Sequence, residues 1–150
     1  GRTPRTQVMY GPPGHAYVYF TYGMHWCLNF VTEAEGFPAA VLIRAIHPCE
    51  GVEVIAARRS PQPPSHWTDG PGKLCQALGI DRRHNGLDVC SPQAELFVEA
   101  GLPIPPENVT IGPRVGLNSV PEPWRSVPWR FRVQRLFTAE SAESAESDCE

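Results

Sequence analysis

The feature that most constrains this chain is one run of alternating aromatic and β-branched residues broken once by glycine, from Ala16 to Val31 (AYVYFTYGMHWCLNFV). Such residues suit a pleated, half-buried surface, so Ala16-Tyr22 and His25-Val31 are predicted to be two strands, with Gly23-Met24 at a hairpin tip. Alternation puts Tyr17 and Tyr19 on one face and Val18 and Phe20 on the other. Tyr22, Met24 and His25 then crowd the tip, where large amphipathic groups are costly unless they meet a partner. A wedge entering a DNA base step is one such partner. An aromatic hairpin folded back on its own core is the other reading, and the residues alone favour it.

The rest of the chain supplies short elements. Residues 1–15, rich in Pro, Gly and Arg, read as a loop, and the run AAVLIRAI at 39–46 as a further strand carrying the single charge Arg44. Glu50 to Arg59 has helical spacing, with Val52, Ile55 and Ala56 on one face, acids early and bases late. A polar, proline-rich loop at 60–70 precedes a predicted helix over Pro71-Leu78, closed by Gly79. Asn85-Gly86 marks a turn, and short strands are expected at 96–98, 109–111 and 129–133. The fold class is therefore α+β: a β-rich single domain around an antiparallel sheet, with a DNA-inserting hairpin as one reading of its tip.

Several function classes are disfavoured. No apolar run approaches the length of a bilayer span, and no signal segment opens the chain, so a cytoplasmic or nucleoid-associated protein is expected. The cysteines Cys27, Cys49, Cys75, Cys90 and Cys149 lack metal-ligand spacing and read as reduced thiols. Gly70-Pro71-Gly72-Lys73 lacks the spacing of a phosphate-binding P-loop. Free N–H groups at a helix start still favour an anion there, so phosphate contact and plain helix-start geometry stay open for Lys73.

Charge divides the chain. The net charge is −3, but residues 139–150 carry five acids and no base, leaving 13 basic against 11 acidic residues in 1–138. That tail is expected to be disordered, with residues 1–138 as the domain. All the bases but Lys73 are arginine, whose planar fork suits bidentate phosphate contact. The surplus is too small to establish nucleic-acid binding, and nothing to this point requires an enzyme.

The block GPPGHAYVYFTYGMHWCLNFV resembles the central motif of the 3-methyladenine (alkyladenine) DNA glycosylases. GRTPR before it, and VLIRAIHPCEG, GPGKLCQALGI, HNGLD and PWRF after it, follow the same family in order. The resemblance implies a mixed domain around a curved antiparallel sheet, with no metal or redox cofactor. It implies base-excision repair: hydrolysis of the N-glycosidic bond of alkylated or deaminated purines in double-stranded DNA after base flipping, by a monofunctional enzyme expected to be a monomer. Tyr22 matches the residue that fills the gap left by the flipped nucleotide, and Tyr19 an aromatic wall that stacks on the base. Asn29 matches a group that obstructs the guanine amino group, and Arg44 a strand arginine near the pocket. Met24 and His25 flank the wedge, while Arg2 and Arg5 fall in the loop that approaches phosphates, as Lys73 does from its helix. Thr6 stands where the family often has Asn, and 118–123 is less typical of it. The family's Glu-x-Glu-Ala-Tyr segment, with the water-activating glutamate, precedes GRTPR, so the catalytic base is expected upstream of Gly1 and the 150 residues by themselves are expected to be inactive. A lesion-binding module without catalysis, and an aromatic β domain for a protein or small ligand, are the alternatives.

Overall fold

The computed structural model describes residues 1–101 and 103–133. The acidic tail expected at 139–150 lies outside them. The chain divides into two compact units, Gly1–Glu99 and Ala100–Glu150. Helices and antiparallel sheets mix as the α+β expectation requires.

The first unit is built on the expected hairpin. β1 (Ala16–Thr21) pairs antiparallel with β2 (His25–Val31), setting Tyr17 opposite Asn29, Tyr19 opposite Cys27 and Thr21 opposite His25. β2 pairs in turn with β3 (Ala40–Leu42). The strand expected over 39–46 is cut short because its backbone changes partner. Ile43 N–H still donates to Leu28 O, but Ile46 N–H donates to Thr68 O, and Thr68 Oγ1 returns a bond to Ile46 O. Arg44 therefore lies beyond the strand rather than in it.

One face of this sheet makes the core. Ala16, Val18 and Leu28 pack with Leu74, Cys75, Ile80 and Val89, flanked by Trp26, Phe30, Ile43, Ile46 and Leu96. A fully buried side chain such as Leu74 contributes about 1.5–3 kcal/mol by leaving water. Leu74 and Cys75 belong to α2 (Pro71–Leu78), with the predicted bounds. Gly79 ends it at φ 71, its N–H bonding Gln76 O while Ile80 N–H reaches back to Cys75 O. That pair of bonds satisfies carbonyls the helix end leaves free, and it turns Ile80 into the core.

α1 (Val52–Arg59) departs from its expected face. Val52 and Val54 are exposed, and Ile55 and Arg59 point inward. The helix is held by guanidinium groups more than by aliphatic packing. Arg59 donates to Gln76 Oε1 and to His66 O, and Arg58 to Ala77 O at 3.0 Å. Both satisfy polar groups on or beside α2.

The Asn85-Gly86 turn straps the free edge of β1. Leu87 N–H closes the turn on His84 O, Gly86 N–H donates to Ala16 O, and Ala16 N–H donates to Leu87 O. Asn85 Oδ1 takes the Val18 N–H at 2.9 Å. The strand expected at 96–98 does not form. Leu96 packs on the core while Val98 N–H makes a bond to Val89 O, so this apolar run seals a loop.

In the second unit β4 (Val109–Gly112) pairs antiparallel with β5 (Arg130–Val133), close to expectation. The Arg114 guanidinium lies 5.2 Å from the Trp129 ring centroid and donates to Trp124 O. No helix among the described residues is long and apolar enough to cross a membrane.

The α2 terminus gives a stability test. A Cβ on Gly79 would sit 3.2 Å from Arg58 Cζ, at a φ that L-residues resist. Gly79→Ala is expected to cost roughly 1–2 kcal/mol, read as a fall of several degrees in Tm. Gly79→Asn, which tolerates that φ, should cost less.

Candidate nucleic-acid interface and base pocket

Hairpin register places Tyr19 and Asn29, two of the three expected pocket residues, on the sheet face away from α2. Tyr17, Tyr19, Cys27 and Asn29 share this face, two on each strand. Asn29 is 6% exposed, and its Nδ2 donates to Tyr17 O at 3.0 Å. One cross-strand bond therefore fixes the amide, worth about 1 kcal/mol net. The Tyr17 and Tyr19 rings lie 5.2 Å apart, tilted by 35°. Tyr17 is buried while Tyr19 is half-buried, so Tyr19 is the ring of the pair that meets solvent.

Thiol and phenol on this face are both kept neutral. Burial pushes the Tyr19 phenol up, and its hydrogen bond and charge coupling with Cys27 add to the effect. Burial likewise raises the Cys27 thiol, against the pull of Tyr19, Arg44 and Arg5. Arg44 and Arg5 therefore both act on this face, Arg44 from beyond β3. Cys75, in the core, is pushed by burial to about 11. Cys27, Cys49, Cys75 and Cys90 are all free thiols.

The tip carries the exposed aromatic. Met24 N–H donates to Thr21 O across a turn whose central residues, Tyr22 and Gly23, have φ values of 53 and 68. Two successive positive φ angles match the twist of a hairpin, but a bulky aromatic pays roughly 1–2 kcal/mol to sit there. The Tyr22 side chain recovers none of that cost in packing, being 87% exposed. Met24 beside it is 67% exposed.

His25 is exposed but lies against α2. A Cβ on Gly72 would meet His25 Cγ at 2.9 Å, so glycine at this position admits the ring. A cavity of about 270 Å³ opens here, lined by Met24, His25, Trp26, Gly72, Cys75, Gln76 and Ile80. Neither Gly72 nor Cys27 was singled out by sequence. Their signals, a glycine inside a helix start and a thiol opposite Tyr19 in register, take meaning only once strands and helix are paired.

The remaining basic residues are placed unequally. Arg2 lies 5.5 Å from the Tyr10 ring centroid, and Arg5 4.9 Å from that of Tyr19. Lys73 Nζ is held by Asp69 Oδ1 at 2.7 Å, and Asp69 also contacts His66 Nδ1 at 2.9 Å. The anion favoured near the start of α2 is thus Asp69 itself. No group of three or more His, Cys, Asp or Glu side chains among the described residues is placed to hold a metal ion.

The profile of a known family, methylpurine-DNA glycosylase (MPG), matches residues 1–136. The chain belongs to that family. Proteins described as "Putative 3-methyladenine DNA glycosylase" from Rhodopseudomonas palustris HaA2 and Myxococcus xanthus DK1622 are each 47% identical to it over 134 residues. These alignments cover 89% of this chain and 63% and 62% of the relatives. A protein of the same description from Methanocella arvoryzae is 48% identical over 132 residues, covering 87% of this chain and 64% of its own length. This glycosylase-family chain thus spans less than two thirds of the length of each of these three relatives. Its hairpin, pocket face and α2 all lie inside the matched region.

The Asp69 contacts are open to titration. Hydrogen bonds from Lys73 and then His66 hold its carboxyl at about 2. A depressed carboxyl stabilises the folded state above its unfolded value of about 3.9 and loses that contribution as pH falls through the folded one. An NMR titration should place the Asp69 midpoint near 2. Lys73→Gln should move it up toward the unfolded value, with little change in Tm at neutral pH because the pair is exposed.

Proposed function

We propose that this chain forms the lesion-reading part of a monofunctional DNA glycosylase, which extrudes alkylated or deaminated purines of the 3-methyladenine and hypoxanthine type from duplex DNA and hydrolyses their N-glycosidic bond. The observation that carries the reading is Tyr22: a strained, 87% exposed aromatic at the tip of a hairpin whose register is fixed on both strands. An aromatic held there suits insertion into a base step, where unstacking is offset by contact with the bent duplex.

On the face below, Tyr19 would stack on the flipped base. Alkylation leaves many purines cationic, and an aromatic face favours a cation. Asn29 is held by its bond to Tyr17 O and cannot swing aside cheaply, so it would exclude a purine bearing a 2-amino group. Arg44 would supply positive potential to the same face, and Arg2, Arg5 and Lys73 would meet phosphates. For Lys73 this requires exchange of Asp69 for a phosphate oxygen.

Hydrolysis also needs a base on water. A carboxylate takes a proton from water as oxygen bonds to C1′ and the purine leaves with the electron pair of the broken bond; a positioned base contributes about 10²–10⁴-fold. Glu33, Glu35 and Glu50 are exposed. We assign the base to none of them and place it in the family's Glu-x-Glu-Ala-Tyr segment, outside these 150 residues.

Single-turnover release of hypoxanthine from duplex DNA tests the assignment. The 150-residue chain should bind DNA weakly without release, and the polypeptide extended to the full length of its relatives should release the base. Equal rates from both would place the base within residues 1–150, and binding without release by the extended form would leave a lesion-binding module.

Two substitutions in the extended polypeptide test the residues. Tyr22→Asn puts a residue tolerant of positive φ before Gly23, so it should stabilise the fold by roughly 0.5–1 kcal/mol while abolishing the flipping signal of 2-aminopurine beside a lesion. An unchanged signal would remove Tyr22 as the wedge. Asn29→Ser should raise excision of methylated guanine relative to hypoxanthine, and an unaltered ratio in folded protein would remove the gatekeeping role.

A further inference from the structure

The stacking face of Tyr19 is not vacant. The Arg5 guanidinium carbon lies 4.9 Å from its ring centroid, within the range of a cation–π contact. Arg5 is otherwise exposed, and no carboxylate lies within ion-pair distance of it among the described residues.

The loop bearing Arg5 is laced rather than loose. Thr6 N–H donates to Thr3 O at 3.0 Å, Thr3 N–H donates to Thr6 Oγ1 at 2.9 Å, and Thr6 N–H also reaches Thr3 Oγ1 at 3.2 Å. Reciprocal bonds between Thr3 and Thr6 bracket Arg5 and fix where its side chain starts. Thr6, at the position where the family often has Asn, thus takes part in holding the guanidinium over the ring.

We propose that Arg5 is a competing occupant of the stacking site: its guanidinium occupies the face of Tyr19 that a flipped base must take, and so sets one threshold that every base has to exceed. This rests on the reading of Tyr19 as the stacking wall. A cationic alkylated purine replaces one cation on the ring by another, so the exchange is nearly balanced. A neutral purine gives up a cation–π contact for ordinary stacking, so its exchange is uphill. The displaced guanidinium then meets a backbone phosphate, for which its planar fork is suited. The cost of lifting Arg5 is the same for every base and cancels from their ratio, so Arg5 lowers the occupancy of all flipped bases while Tyr19 itself sets any preference for charge.

The test compares release of 7-methylguanine, which is cationic, with release of hypoxanthine, which is neutral, by the extended polypeptide and its Arg5→Gln and Arg5→Lys variants. Arg5→Gln removes the occupant and should raise release of both bases by about two- to five-fold with their ratio unchanged, the scale of an exposed cation–π contact. Arg5→Lys keeps the charge for phosphate but puts a strongly hydrated ammonium where a stacking plane stood, so both rates should rise by a smaller factor. The salt dependence of DNA binding should weaken in Arg5→Gln and not in Arg5→Lys. If both rates fall together in Arg5→Gln with the ratio unchanged, Arg5 is only a phosphate contact and the proposal fails. The Tyr19 ring resonances, compared by NMR between the original 150-residue chain and its Arg5→Gln variant without DNA, report the contact separately. Their failure to shift would also overturn it. Release of neither base by the unaltered polypeptide, with the ring shift present, would instead count against the glycosylase reading.

Discussion

Two successive positive φ angles, at Tyr22 and Gly23, set the register on which the first unit depends. They close β1 on β2 with Thr21 opposite His25, and from that pair the alternation runs down both strands. A slip of one residue would carry Val18 and Leu28 out of the core and bring Tyr19 and Asn29 into it. The Asn85 strap on β1 and the packing of α2 against Leu28 hold the same register from the other end. Core and candidate pocket are thus opposite faces of one sheet. Side chains on the pocket face are positioned by the core without being part of it.

Guanidinium groups do much of the remaining work, in ways net charge does not reveal. Arg2, Arg5 and Arg114 lie over aromatic rings, and Arg58 and Arg59 satisfy oxygens on and beside α2. Arg83 and Arg125, by contrast, face exposed carboxylates, pairs that contribute little at a water-exposed surface. An arginine on a ring or a carbonyl keeps its full charge while its donors are partly used. Such a group can exchange its partner for a phosphate without abandoning a buried anion. Lysine, a compact and strongly hydrated point charge, serves this purpose less well, which fits the presence of a single one in the chain.

How much of this was legible depended on whether local pattern or long-range pairing decided the outcome. The β1–β2 hairpin, the bounds of α2, its Gly79 cap and the β4–β5 strands follow from periodicity and turn chemistry. Arg44 looked like a strand residue because AAVLIRAI is apolar throughout, and only the bond from Ile46 to Thr68 O reveals where the ladder ends. Val52 was placed on the buried face of α1 by spacing, but Arg59 takes that face by bonding across to Gln76 and His66. The partner of Lys73 at Asp69 was in plain sight four residues earlier. A helix start favours any anion, so the sequence alone does not separate Asp69 from a phosphate as the partner of Lys73. For the pocket face, alternation gave Tyr19 beside Tyr17, and the family resemblance drew attention to Asn29. Neither supplies Cys27 under Tyr19 or Arg5 above it, since both require three-dimensional neighbours.

The chain contains its own control for the strain at Tyr22. At the Asn85-Gly86 turn the only positive φ falls on glycine, 89° at Gly86, while Asn85 sits at −69°. That turn serves structure: it straps β1, and its residue types match its backbone. At the hairpin tip the same sequence places tyrosine, a poor choice for φ 53, where asparagine would serve the turn better. A local rule broken without a packing gain points to a use outside the folded chain itself. The strain also has a mechanical consequence. A ring attached to a left-handed residue in a closed turn has its Cα–Cβ direction set by the strand pair beneath it, so it stands out from the sheet as a fixed projection. In the proposed role as a wedge, such a ring would keep its aim while base pairs are pushed apart, where a flexible loop would yield first. The penalty in the free protein and the rigidity that the proposed wedge would need against a duplex therefore have one origin, the closed turn at Tyr22 and Gly23.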